Sequence, residues 1–109
     1  MSDQLSAAER LYGDFAPAIV DYTDRVLFGE VWTRPQLSPR DRSLATVAAL
    51  ISGGNTEQLK FHLPHAIHNG LSEEELVEVI THLAFYAGWP RAMSALAVAK
   101  PLFTDPHQD

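Results

Sequence analysis

The chain has 109 residues, of which 46% are hydrophobic, a size that suits one domain with a modest core. Its formal net charge is −6, from 14 acidic and 8 basic residues, and the basic residues are scattered along the sequence. This distribution argues against nucleic acid as a partner. Because the chain contains no cysteine, disulfides, thiolate metal ligands and thiol-based redox mechanisms are excluded.

Neither a membrane segment nor an export signal is indicated. No apolar run reaches the roughly 18 residues that a membrane-spanning helix needs. The first residues, MSDQLSAAER, lack the basic start and apolar stretch of a signal peptide. We therefore expect a cytoplasmic protein without a membrane partner, whose residues 1–109 form a single domain.

The first predicted helix covers residues 14–28. Apolar residues around Ile19 recur at helical spacing, and Pro17 suits a first turn. Gly29 is expected to end this helix, and residues 30–37 then form a predicted linker.

The second predicted helix follows Ser38, which can cap it. Pro39 stands at its first position and Asp41 in its first turn, as is typical of helix starts. The helix should reach about Ile51, because residues 52–55 read Ser-Gly-Gly-Asn and predict a break.

The third predicted helix covers residues 56–69, with Thr56 as its cap and Gly70 as its end. Pro64 lies inside this stretch. A proline at this depth removes a backbone hydrogen bond and costs about 3 kcal/mol, so we expect a kink there or a division into two helices.

The last two predicted helices are separated by a glycine. Ser72 and Glu75 form a capping box for the fourth helix, which Gly88 closes. Pro90 opens a fifth helix that ends near Phe103. No segment alternates strictly between apolar and polar residues, so periodicity predicts an all-α bundle of about five to six helices.

Two helices have predicted buried faces and an outward aromatic side chain each. The residues expected on the buried sides are Leu59, Leu63, Ala66, Ile67 and Gly70 in the third helix, and Leu76, Val77, Ile80, Leu83, Ala84 and Ala87 in the fourth. Phe61 and Phe85 project away from these sides. Outward phenylalanines are unusual for a monomer in water and predict self-association.

Three ordered blocks carry a family resemblance. They read GEVWTRPQLSPRDRSL from Gly29, HLPHAIHNGLSEEELVEV from His62 and YAGWP from Tyr86. Together they resemble the carboxymuconolactone decarboxylase family. The resemblance implies an all-helical bundle of the alkyl hydroperoxidase D-like type, assembled as trimers or hexamers with sites near subunit contacts.

The resemblance also identifies the branch of the family. In peroxidase members, a Cys-x-x-Cys pair precedes a histidine that begins an H-x-x-x-A-x-x-x-G run, and here that run starts at His62. The two cysteine positions fall on Asn55 and Gln58, so the chain resembles the decarboxylase branch. It departs from the protocatechuate-pathway decarboxylases in carrying Gln58 where they have glutamate, and YAG where they have YCG.

The implied reaction needs a cation, an acid and donors for a developing enolate. Loss of CO2 from a carboxymuconolactone leaves a dienolate, and a proton then goes to the carbon beside the lactone carbonyl. His62 is the first choice for the acid, since its ordinary pKa near 6.5 allows both protonation states near neutrality. Arg42 is the candidate cation, because its planar fork can hold a carboxylate by two hydrogen bonds, and Arg34 is its rival.

Further site candidates come from these blocks and from the position where the resembled decarboxylases carry glutamate. Glu30 is a candidate to orient the histidine, and Trp32 to exclude water or donate one hydrogen bond. Tyr86 and Gln58 are additional substrate-binding candidates. No cofactor and no metal are expected, and the expected partner is a small-molecule substrate.

Simpler interpretations stand beside these. Arg42 shares a helical face with the small residues Ala45 and Ala49, which fits either a solvated surface stripe or a cation held at a crowded contact. His62 and Tyr86 fit the border of an apolar core, and Glu30 and Trp32 fit linker packing.

Two other functions remain open from the sequence. The chain fits a non-catalytic oligomer that binds a small molecule or a protein, since one fold hosts many functions. It also fits another enzyme, such as a metal-assisted hydrolase, because His62, His65 and His68 recur every three residues. All three cannot face one ion on an unbroken helix, although His62 and His65 with a carboxylate can.

Overall fold

The computed structural model describes residues 5–104, which form two compact units, one ending at Leu37 and one starting at Ser38. Six α-helices and one π-helical segment make up the regular structure of this range, with no strand. The prediction of an all-α fold is therefore confirmed. That these units act as a single domain stays a prediction. Within the described range, no helix combines the length and apolar character needed to cross a membrane.

The first unit contains α1 (Ala7–Tyr12), α2 (Pro17–Asp21) and a π-helical segment (Tyr22–Val31) that continues directly from α2. Ser6 caps α1 by accepting the backbone N–H of the first turn. The Ser6 hydroxyl also donates to Asp24 Oδ2 at 2.8 Å. This bond ties the start of α1 to the π-helical segment.

The prediction that a helix over residues 14–28 ends at Gly29 is wrong. The helical backbone continues to Val31. The first two residues of the predicted linker over residues 30–37 are therefore helical. A Cβ at Gly29 would lie 3.0 Å from the carbonyl oxygen of Asp24, five residues earlier. Gly29 therefore permits a close approach inside the helix and does not terminate it.

The second unit consists of α3 (Pro39–Gly53), α4 (Thr56–His68), α5 (Glu73–Ala84) and α6 (Trp89–Thr104). Helix α3 packs against the other three, and α6 packs against both α4 and α5. Their shared core contains Val47, Ile51, Leu59, Leu63, Ala66, Leu71, Leu76, Ile80, Ala92, Ala95 and Ala99. The fully buried residues of α6 are alanines, and Val98, Leu102 and Phe103 of the same helix pack against the core while partly buried.

Of the three predicted capping residues, two agree with the structure and one differs. Ser38 and Ser72 each accept a backbone N–H three residues later, as predicted. Thr56 is not the cap of α4, because it is already the first helical residue and Asn55 precedes it. Gly54 takes the left-handed φ of 72° that turns the chain, so α4 begins immediately after Asn55.

Helix α4 runs through Pro64 as one helix, so the division into two helices, one of the two alternatives expected there, does not occur. Pro64 lies on the exposed side of α4. The opposite side presents Leu59, Leu63 and Ala66, all fully buried. We infer that burying this apolar stripe offsets the hydrogen bond lost at the proline.

The predicted buried faces are confirmed at their centres and wrong at their edges. Ile67 is 37% exposed and Val77 is 40% exposed, although both were expected to be buried. Each lies beside the buried stripe of its helix, where a fixed turn of 100° per residue does not locate the boundary. The outward positions of Phe61 and Phe85 are confirmed, at 45% and 75% exposure.

Candidate active site

Two of the predicted site residues lie on the hairpin formed by α3 and α4. A two-residue connection joins these packed helices, and at the open end Asn69 Nδ2 donates to Ser43 Oγ at 2.9 Å. Arg42 precedes Ser43 and therefore lies level with the last turn of α4. His62 stands seven residues before Asn69, which is roughly 10 Å along the helix axis.

His62 is half-buried on α4, and its Nδ1 atom is buried. The Phe61 ring meets it edge-on, with ring centroids 4.8 Å apart and an angle of 88° between the planes. Burial lowers the pKa of His62 below the ordinary histidine value, and the nearby charge of His65 lowers it further. The neutral imidazole is therefore favoured in the ligand-free protein.

Phe61, His62, His65 and His68 form a continuous row of rings on α4, here called the imidazole row. His65 stacks on Phe61 at 5.2 Å and on His68 at 6.3 Å. Burial lowers the pKa of His65, and His68 lowers it further. Within residues 5–104, no group of three histidine or carboxylate side chains is placed to hold a metal ion. A site at His62 and His65 has no third protein ligand in that range.

Arg42 is half-buried on α3, with its Nε atom inside the protein. This position favours a cation held at a packed contact over a fully solvated surface residue. Gln58 lies on α4, one turn before His62, and is exposed. Arg42, Gln58 and His62 are thus brought to the same hairpin.

Tyr86 lies in the turn that follows α5 and is 78% exposed. Its ring contacts His82, with centroids 4.9 Å apart. Such exposure does not fit the core position considered from the sequence. Among the described ring contacts, none joins Tyr86 to His62.

The remaining three candidates belong to the first unit. Glu30 is exposed in the last turn of the π-helical segment. Trp32 follows this segment, half-buried, and its ring stacks on Phe28 at 5.9 Å. Arg34 is exposed in the connection beyond. The three residues therefore cluster at one end of this unit.

The other side of α3 forms a groove with α5, here called the α3–α5 groove, with a volume of about 600 Å³. Its lining comprises Arg40, Leu44, Ala48, Leu71, Glu75, Glu78, Val79, His82 and Leu83. Arg40 pairs with Glu75. The backbone N–H of Ser72 and then Arg40 hold the pKa of Glu75 below its usual range. With two carboxylates against one guanidinium, this groove disfavours an anionic ligand.

Ser43 and Asn69 are the structural pair that the sequence reasoning missed. Ser43 is 1% exposed and is the buried polar residue of the described core. It shares the helical stripe of Val47 and Ile51, at intervals of four residues. A hydroxyl on an otherwise apolar stripe was the available signal, because such a group needs a partner when buried.

Residues 17–101 match the carboxymuconolactone decarboxylase family. The chain is 38% identical over 92 residues to 4-carboxymuconolactone decarboxylase of Acinetobacter baylyi, covering 84% of this chain and 69% of that protein. It is 36% identical over 78 residues to nitrosuccinic acid decarboxylase of Metarhizium robertsii, covering 72% of this chain and 54% of that protein. It thus spans about two thirds and about half the lengths of these relatives. The chain belongs to the carboxymuconolactone decarboxylase family.

Proposed function

We propose that this chain is a carboxy-lyase that removes CO2 from a small dicarboxylic acid without a cofactor. One observation carries the proposal: adjacent helices of one hairpin hold a half-buried guanidinium, Arg42, and a half-buried imidazole, His62. The names of both matched relatives, which are decarboxylases, support the same reaction type.

The two acids named for the relatives share a chemistry. Each carries two carboxylates, and one of them is bonded to a carbon conjugated with, or adjacent to, an electron-withdrawing group. When that carbon–carbon bond breaks, its electron pair moves into the lactone carbonyl or the nitro group as CO2 leaves. The resulting enolate or nitronate then takes one proton on carbon. The protein must therefore hold the remaining carboxylate and deliver a proton.

His62 is the proposed proton donor. Burial favours its neutral form in the free protein. An anionic acid bound beside His62 stabilises the imidazolium, so substrate binding would favour protonation of His62. The carbanion would later take this proton. The edge-on Phe61 ring limits the orientations open to the imidazole.

Arg42 is the proposed anchor for the carboxylate that stays. A guanidinium presents two parallel N–H groups to a carboxylate, and partial burial strengthens that interaction over one in bulk water. The offset of roughly 10 Å between Arg42 and His62 along the hairpin follows from the helix rise. A long arginine side chain together with a dicarboxylate can bridge it.

The other candidates identified from the sequence remain part of the proposal. Glu30, Trp32 and Arg34 are proposed as site residues on the chemistry of their side chains, a carboxylate, an indole and a second guanidinium. Gln58 and Tyr86 are proposed to hydrogen-bond the substrate. Alanine or isosteric variants of each, assayed for the Michaelis constant and turnover, rank these contributions.

Direct measurement of CO2 release tests the proposal. Purified protein is incubated separately with 4-carboxymuconolactone and nitrosuccinate, and product formation is followed by NMR in deuterated water. We expect CO2 and one deuteron on the former carboxylate-bearing skeleton for at least one acid. A rate equal to that of buffer for both acids would contradict the proposed substrate class.

A non-catalytic binding function is the second candidate. Gln58 favours it, because glutamine cannot exchange a proton as the glutamate of the resembled decarboxylases can. Calorimetry separates the two: stoichiometric binding of a dicarboxylate without CO2 release supports binding alone. Thiol peroxidase activity is excluded in either case, because the chain has no cysteine.

Self-association as a trimer or hexamer is part of the proposal. Phe61 and Phe85 are exposed, and Phe85 contacts the exposed Trp89 ring at 5.4 Å. Exposed aromatic clusters of this kind are typical of protein interfaces. Light scattering at micromolar concentration tests this, and a monomeric mass would contradict it.

A further inference from the structure

We propose that Ser43 and Asn69 are positioning residues that set the offset between Arg42 and His62. This inference rests on the proposed function, because the offset matters only if both side chains engage one substrate. Neither residue belongs to the site candidates that the family resemblance supplied.

The position of the hydrogen bond supports this role. The α3–α4 hairpin is held covalently at one end by the two-residue connection. At the other end, Asn69 Nδ2 donates to Ser43 Oγ. Arg42 immediately precedes Ser43, so this bond fixes the end of the hairpin from which the arginine extends.

The neighbouring contacts are less specific. Between the two ends, α3 and α4 pack through Val47, Ile51, Leu59 and Leu63, all fully buried. Apolar burial has no preferred direction and tolerates small sliding or rotation of one helix on the other. A hydrogen bond weakens steeply when its angle or distance departs from the preferred geometry, so it selects one register.

Burial makes the bond selective. Ser43 is 1% exposed, so water cannot replace Asn69 as its partner without opening the helix contact. The last turn of α4 is the part that would move, and it carries Asn69 directly after the imidazole row. Loss of the bond should therefore loosen the Arg42–His62 offset while leaving the rest of the core packed.

Kinetics of the full chain test the inference. Asn69→Ala should lower kcat/KM for the dicarboxylic acid about tenfold, mainly through KM. Ser43→Ala should do the same, and the double variant should be no worse than either single one, since all three lack the same bond. Asn55→Ala is the matched control at the other end of α4, where the side chain makes no capping hydrogen bond, and it should leave kcat/KM unchanged.

A readout without substrate separates this inference from the proposed function. Because the chain has no cysteine, the paired substitutions Asp41→Cys and His68→Cys can carry spin labels. Dipolar broadening between the labels should become more heterogeneous in Asn69→Ala and not in Asn55→Ala. Unchanged broadening, or unchanged kcat/KM in Asn69→Ala, would overturn the inference. If the parent releases no CO2 from either acid while the broadening still changes, the register stands and the proposed function fails.

Discussion

The two sides of helix α3 differ in charge. The side that packs against α4 carries Arg42, and the same hairpin holds His62, whose lowered pKa favours the neutral imidazole. The other side, the α3–α5 groove, has an apolar floor but carries Glu75 and Glu78. Its guanidinium, Arg40, is already paired with Glu75.

A surface groove therefore does not by itself identify the binding site of an anionic substrate. A carboxylate approaching the α3–α5 groove meets two carboxylates, whereas one approaching the hairpin meets a half-buried guanidinium. Coulomb interactions are stronger where water is partly excluded. The half-buried guanidinium of Arg42 therefore attracts a carboxylate more strongly than a fully exposed one would. The same substitution made on each side of α3 tests this difference in charge.

The largest effect is expected from His62→Gln. Glutamine keeps hydrogen-bonding capacity but cannot deliver a proton, so turnover should fall about 100-fold or more, while substrate binding is largely retained. Steady-state kinetics on a confirmed acid measure this. His68→Gln is the matched control, because His68 is an exposed histidine at the end of the same helix, and it should retain parental turnover.

Parental turnover in folded His62→Gln would contradict the role of His62 as proton donor. The proton would then have to come from another group, and Glu30 and Tyr86 are the next candidates. Circular dichroism and light scattering must first show that the variant is folded and has the parental mass.

A smaller effect is expected from replacing arginine by lysine on each side of α3. Arg42→Lys keeps the charge and loses the two-pronged geometry, so KM should rise roughly tenfold with a smaller change in turnover. Arg40→Lys, on the groove side, should leave both constants at the parental values. Equal effects of the two variants would show that the anchor is not specific to the hairpin.

Local patterns predicted much of this fold. The caps at Ser38 and Ser72 could be predicted because a cap depends on residues three positions apart. The same applies to the centres of the buried faces, such as Leu63. Gly29 was misjudged because glycine favours helix ends, whereas a close backbone approach decides its actual position. At Pro64, burial of the apolar stripe keeps one continuous helix.

The site was less predictable than the fold. Residue chemistry and the family resemblance pointed to His62 and Arg42, but helical periodicity alone does not predict that they share one hairpin. The Ser43–Asn69 bond joins residues 26 positions apart. Such a pairing depends on the register of two packed helices, which no local pattern encodes.

The smallest expected effect is on the pH dependence of folding stability, which should differ between the two sides of α3. Burial holds the pKa values of His62 and His65 below the ordinary 6.5. The unfolded chain therefore binds these protons at a higher pH than the folded chain does. The contribution of the two neutral imidazoles to the free energy of unfolding is fully present above about pH 6.5. It is lost as the pH falls through the lowered pKa values of the folded chain.

On the side of the α3–α5 groove, the loss of folding stability should occur at lower pH. The Ser72 backbone N–H and Arg40 hold the pKa of Glu75 below 4.5. The stabilising contribution of the Glu75 carboxylate is therefore present above that pH and is lost only on further acidification.

Urea denaturation midpoints measured from above pH 6.5 to below pH 4.5 should fall in two steps. His65→Gln should reduce the upper step. Glu75→Gln should reduce the lower one, because glutamine retains the capping hydrogen bonds without a titrating charge. If His65→Gln left the upper step intact, His65 would not be its source, and the step would have to come from His62.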